Sequence, residues 1–441
     1  MIDGTSPEVG ASAAGQEPGH RHSGALRFLM KSAAALASTS LVTSALGFLY
    51  WVVAARTFSP VAVGESSTAI SAMSLLAPFT VLGLGTLLIS ELPELQTGRA
   101  RLVSTGLVVC ATVGALLALV CAFVLPQGFL GVYGIGHEFG RTLLFCAAVA
   151  TQGAGMFLDQ ALLSMVGGGM QLWRNLTQSL VKLFLLGVFA ITLAQYSSLT
   201  IFSSWLVANI VSLAVMGAVL IRRFGVPLRD LTPSLSALHG LKFTAFKHHS
   251  LNMTLFVPFF AMPMVANAIL GPERSGFFFA AWSLSGFVMF LPFSLATALF
   301  ASGSRDSESF LPGFRHTLRY ALLICLAATL GMMLLGKVAL GIFGPDYVSN
   351  AYHALVAVCI GCLGLVIKDH HVALARINGT VGREARLIGV LSGLEIAAAA
   401  VGAHLGGITG MGIGWMSAAL LGALVCGPLV LRTYRSAPGS G

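Results

Sequence analysis

A few charged and polar side chains sit inside long apolar stretches of this chain, and they are where its chemistry can be done. Asp159, Lys368, Asp369 and Glu395 are ionisable, Gln152, Gln160, Asn267, His370 and His371 are neutral polar neighbours, and Arg56 closes the first apolar stretch. A charge at mid-bilayer costs at least ~2.5–3.5 kcal/mol on insertion scales, so each such group requires a partner or a water-filled cavity. Lys368 offers a flexible point charge and Arg56 a planar fork matched to oxyanions. Asp159, Glu395 and Asp369 are carboxylates of the kind that exchange protons or cations within membranes. A purely structural use competes with these roles: Lys368 pairs with Asp159 or Glu395 and locks a helix bundle. Asp369 follows Lys368 directly and so points about 100° away around a helix. His370 and His371, also successive, cannot chelate one ion together, and no metal site or cofactor is expected. Arg376 and Lys182 read as residues whose charged heads reach the membrane boundary.

The elements that must hold these groups are membrane helices. The chain has 441 residues, 56% hydrophobic and only 9% charged, with a mean hydropathy of +0.87, whereas a soluble domain carries about 25% charged residues. In lipid every backbone polar group must be satisfied internally, which leaves helices or closed barrels. Continuous apolar runs without alternating polarity select helices. Runs near 32–54, 64–90, 102–125, 141–166, 176–195 and 200–221 are followed by runs near 250–271, 275–301, 318–342, 351–377, 387–405 and 408–431. Each approaches the ~20 residues that cross a bilayer, so about twelve spans are expected. The organisation read from these is a disordered tail at 1–26, a lobe of six spans at 27–223, a linker at 224–249, a second lobe at 250–435 and a tail at 436–441. No cleavable signal peptide is visible before the first span.

Charge orients the spans. The net charge is +9, but the basic residues lie between spans, which argues against nucleic acid. One set of loops holds Arg21, Arg27, Lys31, Arg99, Arg101, Arg174, Arg222, Arg223, Arg229, Lys242 and Lys247, then Arg305, Arg315, Arg319, Arg383, Arg386, Arg432 and Arg435. The other set holds only Arg56, Arg141, Arg274 and Lys337. Positive residues favour the cytoplasm, so both termini are placed there, in the inner membrane. Trp51, Tyr133, Trp173, Tyr196 and Tyr434 lie near span ends and read as interface anchors. The seven cysteines fall in apolar segments and read as buried free thiols; Cys359 and Cys362 lack a second ligand pair for zinc.

The two halves repeat. Pro60, Gly64, Ala69 and Ser71 correspond to Pro272, Gly276, Ala281 and Ser283 at one common offset. Pro78 and Pro292 are expected to interrupt the spans that follow. Leu158-Asp159-Gln160 aligns with Lys368-Asp369-His370, and Trp205 precedes Arg222 as Trp415 precedes Arg432. Six spans per half is an even number, so the repeats are parallel and related by an axis along the membrane normal.

With these features the chain resembles the multidrug/oligosaccharidyl-lipid/polysaccharide (MOP) exporter superfamily, and within it the polysaccharide-repeat-unit (Wzx-type) flippases. The resemblance rests on Ala54-Ala55-Arg56-Thr57-Phe58-Ser59-Pro60 through Gly64, on Leu82-Gly83-Leu84-Gly85-Thr86, and on Ile342-Phe343-Gly344-Pro345-Asp346-Tyr347. It implies an all-α, MATE-like arrangement of two six-helix lobes around a central cavity. It also implies alternating access that carries a polyprenyl-diphosphate-linked glycan to the outer leaflet, beside glycosyltransferases and a polymerase. On that footing Arg56 and Lys368 would attract the diphosphate, and Gln152, Gln160 and His370 would bond the glycan. A cation-coupled multidrug or metabolite antiporter of the same superfamily would instead use Asp159 and Glu395, with no need of a cationic pocket. Lys368 discriminates between the two, because a positive charge facing the cavity favours anionic head groups. A flippase for the peptidoglycan lipid precursor would be expected to show a stronger arginine cluster. A membrane polymerase or ligase would place its chemistry in a sizeable outer loop, and the outer loops here are short. Gly167-Gly168-Gly169 is followed by no Lys-Ser/Thr pair, so it is not a phosphate loop.

Overall fold

The structure is a computed structural model, and it describes residues 42–82, 84, 88, 98–192, 197–225, 227, 231–234, 246–303 and 310–436. The expected tail at 1–26, most of the 224–249 linker and most of the Leu82–Thr86 motif lie outside the described residues.

The first half consists of α1 (42–57), α2 (Pro60–Thr80), α3 (Arg99–Val124), the short α4 (Gln127–Leu130), α5 (Phe139–Val166), α6 (Gly168–Thr192) and α7 (Ser198–Phe224). The second consists of α8 (Phe246–Leu270), α9 (Pro272–Gly303), α10 (Phe310–Gly341), α11 (Pro345–Ile377) and α12 (Val381–Ser436). Among the described residues nine helices are long and apolar enough to cross a membrane. The last of them, α12, is two spans: Gly406 and Gly407 leave helical geometry, Gly407 with φ 61° and ψ −141°. Only a residue without a Cβ adopts that conformation readily, so the run breaks where the expected eleventh and twelfth spans meet. With α1 and α2 this gives six spans per half among the described residues, an all-α molecule of two lobes.

Local sequence explains the helix starts. Ser59 caps α2, its Oγ accepting from the Ala62 N–H at 3.2 Å, with Pro60 in the first turn where its missing N–H costs nothing. Pro272 and Pro345 open α9 and α11 in the same way. Pro292 does not interrupt its span: α9 continues to Gly303, and Pro78 lies in the last turn of α2. Large apolar side chains such as Phe123, Phe184, Leu334 and Leu424 stay exposed on the outer faces, as lipid contact requires. Trp173 and Tyr133 are exposed as expected of interface anchors, but Trp51 is buried, 4.4 Å from the Phe279 ring. The core windows of α5 and α11 are 61% and 56% buried, against 22% for α3, α6 and α10. These repeat-equivalent helices are thus far more enclosed than α3, α6 and α10, and they carry Asp159, Lys368 and Asp369.

The lobes meet where α2 crosses α9. A Cβ on Gly64 would lie 1.8 Å from the Pro272 carbonyl oxygen, and one on Gly276 would lie 2.3 Å from the Pro60 oxygen. Each glycine thus touches the repeat mate of its own neighbour, which is the reciprocal pattern of a two-fold contact. Beside it α4 packs on α8: Asn267 Nδ2 donates to the Gly128 carbonyl at 2.7 Å. All of these contacts lie at the end of α1 away from residue 42.

Candidate functional site

Away from that crossing the lobes part. A cavity of about 380 Å³ opens between α1, α2 and α7 on one side and α8 and α9 on the other. Its wall is aromatic, with Phe48, Trp51, Trp205, Phe259, Phe279 and Phe287, and the repeat mates Ser71 and Ser283 both line it. A second space of the same size continues into the second lobe, sharing Phe259, Phe260, Trp282, Gly286 and Phe290 with the first. Lys368, Asp369, Glu395 and Trp415 line this second space.

Within it the three ionisable groups are not alike. The Lys368 ammonium donates to Glu395 Oε1 at 2.5 Å, and both side chains are almost fully buried. Their charges cancel at a depth where neither would be tolerated alone. Asp369 is half-buried and makes no hydrogen bond or ion pair among the described residues. Lys368 and Arg376 act on it only through space, so a carboxylate without a direct ion pair, facing Phe and Trp rings, is a place where a proton or a cation gains both charge and ring contact.

The first lobe is arranged differently. Arg174 grips Asp159 in a two-pronged pair, Nε to Oδ1 at 2.5 Å and Nη2 to Oδ2 at 2.6 Å, with Asn175 alongside. Asn209 donates to Gln152 Oε1 at 2.9 Å and accepts from Gln178. One turn beyond Gln178 on α6, Lys182 is 5% exposed. Its ammonium lies 4.0 Å from the Trp205 ring centre and 5.4 Å from that of Tyr50, with no carboxylate within 4 Å among the described residues. Desolvated cation–π contacts return ~2 kcal/mol each, so the two rings stand where a carboxylate would otherwise hold the ammonium.

Arg56 does different work again. Its Nε and Nη2 donate to the carbonyls of Ile342 and Gly341 at 2.7 and 2.6 Å, capping the end of α10. A cation is favoured at a helix C-terminus, where carbonyls lack partners. Two of the stretches that carried the resemblance, around Arg56 and around Ile342–Tyr347, are thereby tied together across the lobes on the closed side.

Solved structures with this architecture are transporters. The inward-facing conformation of a multidrug resistance MATE family transporter of the MOP superfamily matches with a TM-score of 0.67 at 15% identity, covering 92% of this chain and 100% of that one. The chain has the MATE fold. The outward-facing conformation of such a transporter gives 0.60 at 15% identity, over 92% of this chain and 97% of that one. A MOP superfamily transporter from Pyrococcus furiosus, described as having a binding pocket of reversed polarity, gives 0.62 at 15% identity, over 93% and 97%. No protein-family model and no curated protein matches the sequence.

On this MATE frame the residues singled out from the sequence separate. Lys368, Asp369 and Glu395 come together at one pocket. Asp159 is held by Arg174, Gln152 by Asn209, and Arg56 by the end of α10. His370 is fully buried, with Nδ1 on the Val366 carbonyl at 2.8 Å and its ring beside Phe314. Gln160 Oε1 is buried without a hydrogen bond and is absent from the cavity wall among the described residues. Two sequence expectations are corrected. Arg174 is no loop residue: it is 5% exposed inside α6. Lys182 does not reach the boundary, because its head is packed against Trp205. Arg174, Gln178 and Lys182 stand at four-residue intervals, and that spacing was the available signal of one polar helix face.

Proposed function

We propose that this protein is an alternating-access antiporter of amphiphilic molecules, driven by a proton or sodium ion that binds at Asp369. The membrane is taken as the inner one with both termini cytoplasmic, in keeping with the basic loops, so the cavity described above opens inward. The carrying observation is the contrast at the C-lobe pocket: Glu395 cancels Lys368 at 2.5 Å while Asp369 is unpaired on an aromatic wall. An anionic head group gains little from a lysine already neutralised, whereas a cation gains from Asp369. The cavity's aromatic wall suits an apolar substrate body.

The test is efflux of a fluorescent amphiphile from proteoliposomes under an imposed proton or sodium gradient. Wild type should respond to the gradient, and Asp369→Asn should lose that response at least tenfold while still binding the amphiphile. Efflux by wild type that ignores both gradients sinks the coupling role.

A second reading, translocation of a polyprenyl-diphosphate-linked oligosaccharide alongside glycosyltransferases and a polymerase, is favoured by Lys182, a cation beside the cavity wall. Scrambling of a lipid-linked sugar in the same vesicles, without any ion gradient, would select it. Neither reading asks the protein to make or break a covalent bond.

A further inference from the structure

We infer that the protein carries two lipid-binding clefts on its outer flanks, one per lobe, each taking an acyl chain of an anionic phospholipid with its phosphate at an arginine-bearing rim. The inference concerns the surface that faces the bilayer, and it uses none of the residues that line the spaces between the lobes.

In the first lobe a space of about 770 Å³ lies between α3 and α7, with α5 behind it. In the second a space of about 710 Å³ lies between α10 and α12, with Ile367 of α11 behind it. The two are repeat mates: Gly217, Leu220 and Ile221 in one wall stand to Gly427, Val430 and Leu431 in the other as Trp205 stands to Trp415. Neither glycine is required by the protein itself. A Cβ built on Gly217 or Gly427 meets no atom within 4 Å, and neither has a positive φ. Glycine is the poorest helix former after proline. Two matched glycines inside helices, with no protein atom pressed on them, keep room for something outside the protein.

The surroundings say what that is. Each wall is apolar, and among the described residues its only charged side chain is an arginine, Arg99 in one and Arg319 in the other. Arg222 and its repeat mate Arg432 are exposed one residue beyond Ile221 and Leu431. The first cleft runs along α3 from Arg99 to Ala111, about 18 Å at 1.5 Å per residue. That is close to the ~15 Å of one leaflet in a ~30 Å hydrocarbon core. Val108 lines the first cleft and Leu323 and Leu424 the second, and all three are exposed, so both clefts open sideways to the bilayer. An arginine rim suits a phosphate and an apolar slot suits a chain, which together describe an anionic phospholipid. The repeat axis turns the clefts to opposite flanks, so a single partner chain covers only one of them, whereas lipid reaches both.

The test is native mass spectrometry of the full chain in detergent micelles, titrated with phosphatidylglycerol or with phosphatidylcholine carrying the same acyl chains. Wild type should hold two phosphatidylglycerols at a concentration at least tenfold below that needed for two phosphatidylcholines. Gly217→Leu and Gly427→Leu, each filling one cleft, should each lose one bound phosphatidylglycerol, and the double variant both. Arg99→Gln combined with Arg319→Gln changes only exposed side chains. It should erase the preference and leave phosphatidylcholine binding unchanged, and it keeps the test decisive if a leucine variant fails to fold. Equal binding of the two lipids by wild type overturns the proposal, as do two phosphatidylglycerols still held by a folded chain with both leucines. A dimer that either leucine variant disperses gives the cleft to a second copy of this chain and overturns it as well. Transport is not measured, so failure of ion coupling at Asp369 leaves this result untouched.

Discussion

The two lobes have one helix plan and opposite electrostatics. Asp159 and Asp369 stand at equivalent places on α5 and α11, yet the first is gripped by Arg174 and the second has no hydrogen bond or salt bridge among the described residues. Arg174 on α6 aligns with Glu384 on α12, a reversal of sign, and Glu384 bonds His371 at 2.8 Å instead of an aspartate. Among the described residues Lys182 makes no ion pair in the first lobe, and Asp369 makes none in the second. What the repeat preserves is set by helix packing: glycine at a crossing, proline at a helix start, tryptophan facing the cavity. Side-chain charge is less bound by packing, because each lobe needs only that most of its buried charges be cancelled locally.

The largest expected effect comes from breaking the buried pairs. Glu395→Ala strands Lys368, and Asp159→Ala strands Arg174; losing one partner of a buried pair costs about 3–5 kcal/mol. The Glu395 side chain is 1% exposed and that of Asp159 14%, so the C-lobe variant should lose more in thermal or denaturant unfolding. Equal losses would erase the electrostatic distinction between lobes. Next come Gly64→Ala and Gly276→Ala, each adding a methyl against backbone, an overpacking cost of about 1–3 kcal/mol. Reciprocal contact requires the two to act alike and the double variant to cost less than their sum, because either one alone already spreads the crossing. Labelling of cysteines placed at Ser71 and Ser283 from the closed side reads that spreading. The smallest effect is Arg56→Ala, which removes two charge-assisted hydrogen bonds that the other half cannot mirror, its aligned residue being Ala268. A loss of about 1–2 kcal/mol should raise the share of molecules open on that side roughly tenfold.

Much of this was legible in the sequence. Apolar runs mark the spans, down to the break at Gly406–Gly407, and the spacing matches Pro60 and Gly64 to Pro272 and Gly276 as a repeat. It does not say that these residues meet one another between the lobes. Lys368 with Glu395 was one of two pairings open to it. What a single sequence withholds is the direction in which each side chain points. Arg174 sits near a run boundary and was sorted with the loops, although Asp159 waited for it on the preceding helix. Lys182 and Trp51 were assigned to the boundary for the same reason: their partners, Trp205 and Phe279, come from helices whose placement no local pattern specifies. Arg56 was read as facing a ligand, and its partners are carbonyls 285 and 286 residues away.

The Gly64–Gly276 crossing also sets the mechanics. Two backbones in contact near one end of long rigid rods make a fulcrum. From Gly276 to Gly303, α9 extends about 40 Å at 1.5 Å per residue, so a tilt of about 10° swings its far end by about 7 Å. The contact itself need shift hardly at all. Under the alternating access proposed above, travel at the open mouth would be obtained by leverage, and the two glycines would serve as a bearing whose thinness determines how far the rods can turn.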